Sequence, residues 1–135
     1  MGYKITEIEG IGPAKADMLA KGGISTTDDL LKHCCDAKGR KAAAASTGCS
    51  ESQLLKWANM ADLMRISGVG SEFSELLEAA GVDTVKELAT RNAENLAAKM
   101  AEVNEQKKLT RAVPSPKAVT KWVAQAKGLK PLITH

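Results

Sequence analysis

The chain has 135 residues, of which 44% are hydrophobic and only 3% aromatic. This length accommodates one domain or two small units, and the composition favours a helical core of small and aliphatic side chains. A formal net charge of +3, from 19 basic and 16 acidic residues, is too balanced to indicate a partner. The charge is unevenly distributed, however, because residues 1–98 carry 11 basic against 14 acidic side chains and residues 99–135 carry 8 against 2. The positive field therefore lies at the C-terminal end.

The first half of the chain contains clear signals for short helices. Pro13 suits the first turn of a helix that runs to about Lys21, and Gly22 and Gly23 then stop it. Thr26 with Asp29 has the spacing of a capping box, in which each residue bonds the backbone of the other, and this predicts the next helix start. Ser50 with Gln53 predicts a further one.

The second half repeats these signals. Thr84 with Glu87 fits the capping box, and Ser115 followed by Pro116 opens the last helix. No segment has the sustained alternation of apolar and polar residues that a strand requires. The sequence therefore predicts an all-α fold.

An internal repeat organises these helices. The segment from Ile8 to Leu31 aligns without gaps to the segment from Ile66 to Ala89, at a constant offset of 66 − 8 = 58. The match resumes where SESQLLKWANMA pairs with SPKAVTKWVAQA at an offset of 115 − 50 = 65, which places Trp57 opposite Trp122. We expect both tryptophans to be core or interface anchors and not ligand-stacking residues. We expect two tandem units, 1–63 and 64–135, built as short-helix bundles of the SAM-like kind and packed as one compact body.

Three cysteines and a histidine raise the question of a metal. His33, Cys34, Cys35 and Cys49 supply the atoms that zinc prefers. Consecutive residues of a helix point about 100° apart, however, and the CxxC spacing of zinc sites is absent. We expect reduced cysteines that pack between helices, with neither metal nor cofactor. Because no apolar run is long enough to span a bilayer and no signal peptide follows Met1, we also expect a cytoplasmic protein without membrane contact.

Each copy contains two glycines that flank one apolar residue, and this pattern resembles the helix-hairpin-helix motif. In the first copy the pattern comprises Gly10, Ile11 and Gly12, followed by Ala14 and Lys15; in the second it comprises Gly68, Val69 and Gly70. Such glycines permit a tight turn and expose backbone N–H groups at the start of the next helix. The resemblance implies contact with nucleic-acid phosphates without base recognition.

The whole chain also resembles a bacterial helix-hairpin-helix family of uncharacterised function, in which this unit occurs in tandem. Three segments carry the resemblance: WANMADLMRISGVG, LLEAAGVDTVKELATRN and EQKKLTRAVPS. It extends over nearly all of the sequence. Since the family has no established activity, the resemblance supports the fold and leaves the function open.

Charge separates the two hairpins. Residues 1–24 carry three lysines against three acidic residues, whereas residues 62–88 carry two basic residues against six acidic ones. Glu72 and Glu75 fall in the predicted first turn of the helix that follows the second hairpin, where they would complement the helix dipole and repel a phosphate. We therefore expect the first hairpin to bind phosphate and the second, at Gly68, Val69 and Gly70, to be structural or to face a protein.

The sequence thus favours a binding module over an enzyme. The histidines are His33 and His135, and neither a GxxxxGK phosphate loop nor a GxSxG elbow is present. We expect sequence-independent nucleic-acid binding through the first hairpin and a basic C-terminal surface. The alternative is a protein-interaction or accessory subunit of a larger complex. The basic surface comprises Lys107, Lys108, Arg111, Lys117 and Lys121.

Overall fold

The computed structural model describes residues 3–134, and within that range the chain is helical, as the sequence predicts. A short 3-10 helix (Ile5–Glu7) precedes the α-helices. None of the described helices is both long and apolar enough to cross a membrane. The helices are α1 (Pro13–Lys21), α2 (Thr27–Cys34), α3 (Ala37–Thr47), α4 (Glu51–Leu63), α5 (Ser71–Ala79), α6 (Val85–Leu88), α7 (Ala93–Lys107) and α8 (Pro116–Gly128).

The chain divides into two compact units. One comprises Met1–Asp62 with Leu132–His135, and the other comprises Leu63–Pro131. The boundary lies at the end of α4. The last described residues, 132–134, belong to the first unit although they follow the second along the chain.

The first unit has its core between α1, α2 and α3. Both α1 and α2 pack against α3, and α1 also packs against the 3-10 helix. Fully buried aliphatic side chains come from α1, α2, α4 and the segments on either side of α1, and removing their apolar surface from water stabilises the unit. They include Ile8, Leu19, Ile24, Leu30 and Leu54.

A buried arginine holds the C-terminal segment against the first unit. Arg40 is only 4% exposed. Its guanidinium donates to the Cys34 carbonyl at 3.0 Å and to the Thr134 carbonyl at 2.8 Å. The Thr134 N–H donates in turn to the Cys35 carbonyl at 2.8 Å. A buried charge must be satisfied by hydrogen bonds, so these carbonyls explain how Arg40 is accommodated inside the unit.

The second unit has its core around α7. This helix packs against α5 and α8, and α6 also packs against α8. Leu76, Leu77 and Met100 are completely buried there. The indole of Trp122 meets the ring of Phe73 at a centroid distance of 5.3 Å and a tilt of 51°, a geometry that aromatic pairs favour.

The capping box predicted at the start of α2 is confirmed. The Thr26 hydroxyl accepts from the Asp29 N–H at 3.1 Å, and the Asp29 carboxylate accepts from the Thr26 N–H at 3.2 Å. The carboxylate also accepts from the Ser25 N–H at 3.0 Å. These backbone bonds, the one from Ser25 foremost, lower the pKa of Asp29 below its ordinary value of 3.8, because they favour the charged form.

The other predicted helix starts are confirmed too. Ser50 accepts from the Gln53 N–H at 3.1 Å and its own N–H donates to the Gln53 side chain at 3.3 Å. Thr84 accepts from the Glu87 N–H at 3.3 Å. Ser115 accepts from the Ala118 N–H at 3.1 Å. Each side chain satisfies one backbone donor that the first turn of a helix leaves without an internal partner.

Candidate functional site

The first glycine turn, residues 8–12, joins the 3-10 helix to α1. Gly10 has φ +93, a conformation that side chains other than glycine rarely adopt. The Ile11 N–H donates to the Ile8 carbonyl at 3.1 Å and closes the turn. Ile8 and Ile11 are buried. Gly12 is extended and forms the N-cap of α1. The turn is therefore anchored by its apolar residues while its glycines remain at the surface.

The second glycine turn, residues 66–70, has the same backbone geometry. Gly68 also has φ +93. The Val69 N–H donates to the Ile66 carbonyl at 3.1 Å, and Gly70 forms the extended N-cap of α5. Ile66 and Val69 are completely buried. The repeat found in the sequence therefore extends to the conformation of individual turn residues.

A tryptophan lies beside each turn. A Cβ placed on Gly10 would lie 3.7 Å from Nε1 of Trp57, and one placed on Gly68 would lie 3.2 Å from Nε1 of Trp122. Both tryptophans are buried, at 4% and 5% exposure, which confirms the expectation that they are core residues. The last helix of each copy thus supports the glycine turn through its tryptophan, and the turn must stay free of side chains at this point.

The helices that follow the turns have no side-chain cap. Gly12 and Gly70 leave the first-turn amides of α1 and α5 without a side-chain acceptor. Nothing lies within 4 Å of a Cβ placed on either glycine, so the space in front of both helix starts is open. Uncapped amides and the helix dipole together favour an anion at such a position.

The two helix starts differ in the charge beside them. The first turn of α1 has no acidic residue, and Lys15 stands half-buried behind the exposed Ala14. The first turn of α5 carries Glu72, which is exposed. The prediction that Glu75 shares this turn is wrong, because α5 begins at Ser71 and Glu75 is its fifth residue. Glu72 complements the dipole of α5 and disfavours an anion there.

The second turn also borders an open cleft of about 580 Å³ in the second unit. We call it the lysine cleft; it is lined by Ser67, Gly68, Ser115, Lys117, Ala118, Lys121, Trp122 and Gln125. Its lining contains two lysines and no carboxylate. The glycine turn and the basic C-terminal helix, considered separately in the sequence, meet here. The pairing of Trp57 with Trp122 was the sequence signal for this arrangement, because it shows that each copy has a trailing helix of the same kind.

Gln125 fastens the trailing helix to the turn. Its side-chain oxygen accepts from the Ser67 N–H at 3.0 Å, and its side-chain nitrogen donates to the Ser67 carbonyl at 3.4 Å. One amide side chain thus satisfies both backbone groups of a turn residue. The two bonds set the distance between α8 and the turn, and with it the width of the lysine cleft.

The remaining basic residues of the predicted surface lie elsewhere in the second unit. Lys107 ends α7, and Lys108 follows it as a left-handed C-cap with φ 52. Arg111 is exposed in the segment before α8. None of these three lines the lysine cleft. The structure therefore groups Lys117 and Lys121 with the second turn and leaves Lys107, Lys108 and Arg111 outside it.

The first unit has an open groove of about 620 Å³. It is lined by Gly22, Lys32, His33, Cys35, Asp36, Lys38, Gly39, Ala42, Ala43 and Ser46. Asp36 accepts from the Gly39 N–H at 2.7 Å as the cap of α3. Three of the lining side chains are basic in type and one is acidic. The lining therefore consists mainly of small residues and basic ones.

The three cysteines are free thiols in different surroundings. Cys34 and Cys49 are buried, whereas Cys35 is half-buried at the groove. Burial raises the pKa of the Cys34 thiol to about 11, because desolvation disfavours the thiolate. Among residues 3–134 no three His, Cys, Asp or Glu side chains are arranged to hold a metal ion.

These features describe an all-helical protein of two similar units, each with a glycine turn supported by a tryptophan from a trailing helix. Residues 9–129 match the model of a family described as domain of unknown function DUF4332, and the chain belongs to that family. No curated protein and no solved structure matches the chain.

Proposed function

We propose that this protein is a non-catalytic, cytoplasmic module that binds the backbone of nucleic acid, DNA foremost, without reading its sequence. In this proposal the module contains two tandem helix-hairpin-helix elements, with their turns at residues 10–12 and 68–70. The observation that carries the proposal is the uncapped start of α1, which has no side-chain cap and no acidic residue in its first turn.

A phosphate suits this position for two physical reasons. The free amides of the first turn donate hydrogen bonds to anionic oxygens, and the positive end of the helix dipole adds attraction. Lys15, behind Ala14 in the same turn, supplies a full positive charge. Such contacts address the backbone and not the bases, so they give affinity without sequence preference.

One turn offers few contacts, so the basic C-terminal residues must contribute as well. They are Lys107, Lys108, Arg111, Lys117 and Lys121, all exposed. Each neutralised phosphate releases counterions and makes the affinity dependent on salt. We therefore expect weak binding that falls steeply as the salt concentration rises.

Fluorescence anisotropy with a short labelled DNA duplex of mixed sequence, measured across a salt series, tests the proposal. Lys15→Glu should weaken binding by about tenfold, since it replaces an attractive charge with a repulsive one next to the phosphate. Lys21→Glu is the matched control, because it makes the same change at the other end of α1. Absence of any complex at low salt, or equal effects of the two variants, would contradict the proposal.

A protein partner is the second candidate, and the groove of the first unit favours it. Small residues leave room there for an inserted side chain, while Lys32 and Lys38 border it. An acidic helix of a partner subunit would complement this surface. In that case Lys32→Glu with Lys38→Glu should abolish retention of a defined partner by the purified protein, and recovery of nucleic acid alone would count against it.

A further inference from the structure

We propose that the lysine cleft of the second unit is itself a phosphate site, in which Lys117 and Lys121 hold the phosphodiester backbone of the bound nucleic acid. This proposal rests on the proposed function and deepens it, because it joins two of the basic residues to the second glycine turn in one site. The charge of its turn sequence alone favours a structural or protein-facing role. It adds a site that differs from the helix start of α1 in both elements and chemistry.

The first step is the exposure and the charge pairing of the two lysines. Lys117 and Lys121 are exposed, and neither forms an ion pair within the described residues 3–134. They lie four residues apart on α8, so their side chains leave the same face of the helix. Their long stems allow both ammonium groups to reach one phosphate or two successive ones. The cleft therefore offers two cations that no protein carboxylate neutralises.

The second step is the shape of the cleft. Its volume of about 580 Å³ is many times the ~30 Å³ that a water molecule occupies in the liquid. Gly68 contributes no side chain to the turn side of the cleft, where Ser67 contributes only a small one, and the Trp122 indole lies next to Gly68. A backbone phosphate can thus approach the turn closely while the lysines contact it from α8.

The third step concerns the acidic helix start next to this turn. Glu72 lies in the first turn of α5 and is absent from the lining of the cleft. It compensates the dipole of α5. Ser115 already caps α8 by accepting from the Ala118 N–H at 3.1 Å. The cleft therefore does not depend on either helix start, and its attraction for phosphate comes from the lysines.

The fourth step is a comparison inside the chain. With the repeat offsets of 58 for the turn and 65 for the trailing helix, the counterparts of Ser67, Lys117 and Lys121 are Glu9, Ser52 and Lys56. The first unit thus has one basic residue against one acidic residue where the second has two basic residues and none acidic. Gln125, which sets the width of the cleft, corresponds to Met60, which cannot form those hydrogen bonds. The two copies have diverged at the residues that the site requires.

The experiment measures the affinity of the full chain for short labelled duplexes of DNA and of RNA across a salt series. Lys117→Gln with Lys121→Gln should weaken binding about tenfold and reduce the salt slope by about 1 to 2. The control is Lys86→Gln with Lys99→Gln, which removes two exposed lysines of the same unit outside the cleft. It should change affinity less than about twofold. If the double variant loses more affinity for one duplex than for the other, this difference identifies which backbone the cleft accepts.

Two further variants use the first unit as a template. Gln125→Met should weaken binding while leaving the salt slope unchanged, because it widens the cleft and removes no charge; this makes Gln125 a positioning residue. Glu9→Ser with Ser52→Lys introduces the charge pattern of the second unit into the first and should tighten binding severalfold. Circular dichroism on every variant confirms that the helical fold is retained.

The outcomes separate the two proposals. If the wild type binds neither duplex at low salt, the proposed function fails and the cleft proposal fails with it. If the wild type binds but the Lys117 and Lys121 variant behaves like its control, the cleft proposal is overturned while nucleic-acid binding stands. A loss confined to the cleft variant supports both.

Discussion

Gly68 packs closely against Trp122: a Cβ placed on this glycine would lie 3.2 Å from Nε1 of the indole. The equivalent distance between Gly10 and Trp57 is 3.7 Å, at the same φ of +93. The second turn is therefore packed more tightly against its tryptophan than the first. Both turns thus require glycine for its positive φ, and the second also requires it because a side chain at position 68 would press against Trp122.

Gly68→Ala should destabilise the protein more than Gly10→Ala. Both introduce a Cβ at a positive φ, which costs about 1–2 kcal/mol, but the alanine at position 68 must also displace the Trp122 indole. We expect a loss above about 2 kcal/mol for Gly68→Ala. Urea unfolding followed by circular dichroism gives the free energy of unfolding. Gly70→Ala is the control, since its φ is −94 and the space around it is open, and it should cost less than about 1 kcal/mol.

Arg40→Met should destabilise the first unit and release the C-terminal segment. The variant keeps the apolar stem but leaves the carbonyls of Cys34 and Thr134 without their donor, which costs about 2–4 kcal/mol. The exposed neighbour Lys41→Met should stay within about 0.5 kcal/mol of the wild type. Amide hydrogen exchange at Thr134 should accelerate in the first variant only; unchanged protection of this amide would show that Arg40 does not hold the segment.

Acid should weaken the start of α2 through Asp29. Its pKa is lowered in the folded protein, chiefly by the backbone bond from Ser25. Because the pKa is lower in the folded protein, the Asp29 carboxylate stabilises the fold at pH values above its ordinary pKa of 3.8. This contribution is lost as the pH falls below 3.8 and through the lowered pKa of the folded state. Asp29→Asn should therefore flatten the acid limb of stability measured by thermal unfolding. Asp28→Asn removes the same charge without breaking the capping box and should leave that limb in place.

Thiol labelling should distinguish the three cysteines. The thiolate is the reactive form, and burial raises the pKa of Cys34 to about 11, while Cys49 is 3% exposed. An aromatic disulfide reagent at mildly alkaline pH should therefore label Cys35 first, and label the other two only after unfolding. Cys35→Ser should remove the fast phase. A fast phase that persists in this variant would show that Cys34 or Cys49 is accessible in the folded state.

Local chemistry is what the sequence determined by itself. The capping residues Thr26, Ser50 and Ser115 start helices through bonds to residues three positions away. Pro13 favours a helix start through its own fixed φ. Both effects can be predicted without knowledge of the fold. The glycine turns are local in the same sense, because one buried apolar residue and a positive φ define them. The repeat, the all-helical class and the buried tryptophans followed from these short-range rules.

Only the tertiary structure decided which distant residues meet. Ser67 and Gln125 are 58 positions apart, and Arg40 and Thr134 are 94 apart, so no periodicity in the sequence connects them. Residues 62–88 around the second turn carry a negative total charge, yet the packing of α8 brings Lys117 and Lys121 to that turn. Electrostatic interaction depends on the distance between charges in space and not on their separation along the chain. The lysine cleft could therefore be recognised only in the folded structure.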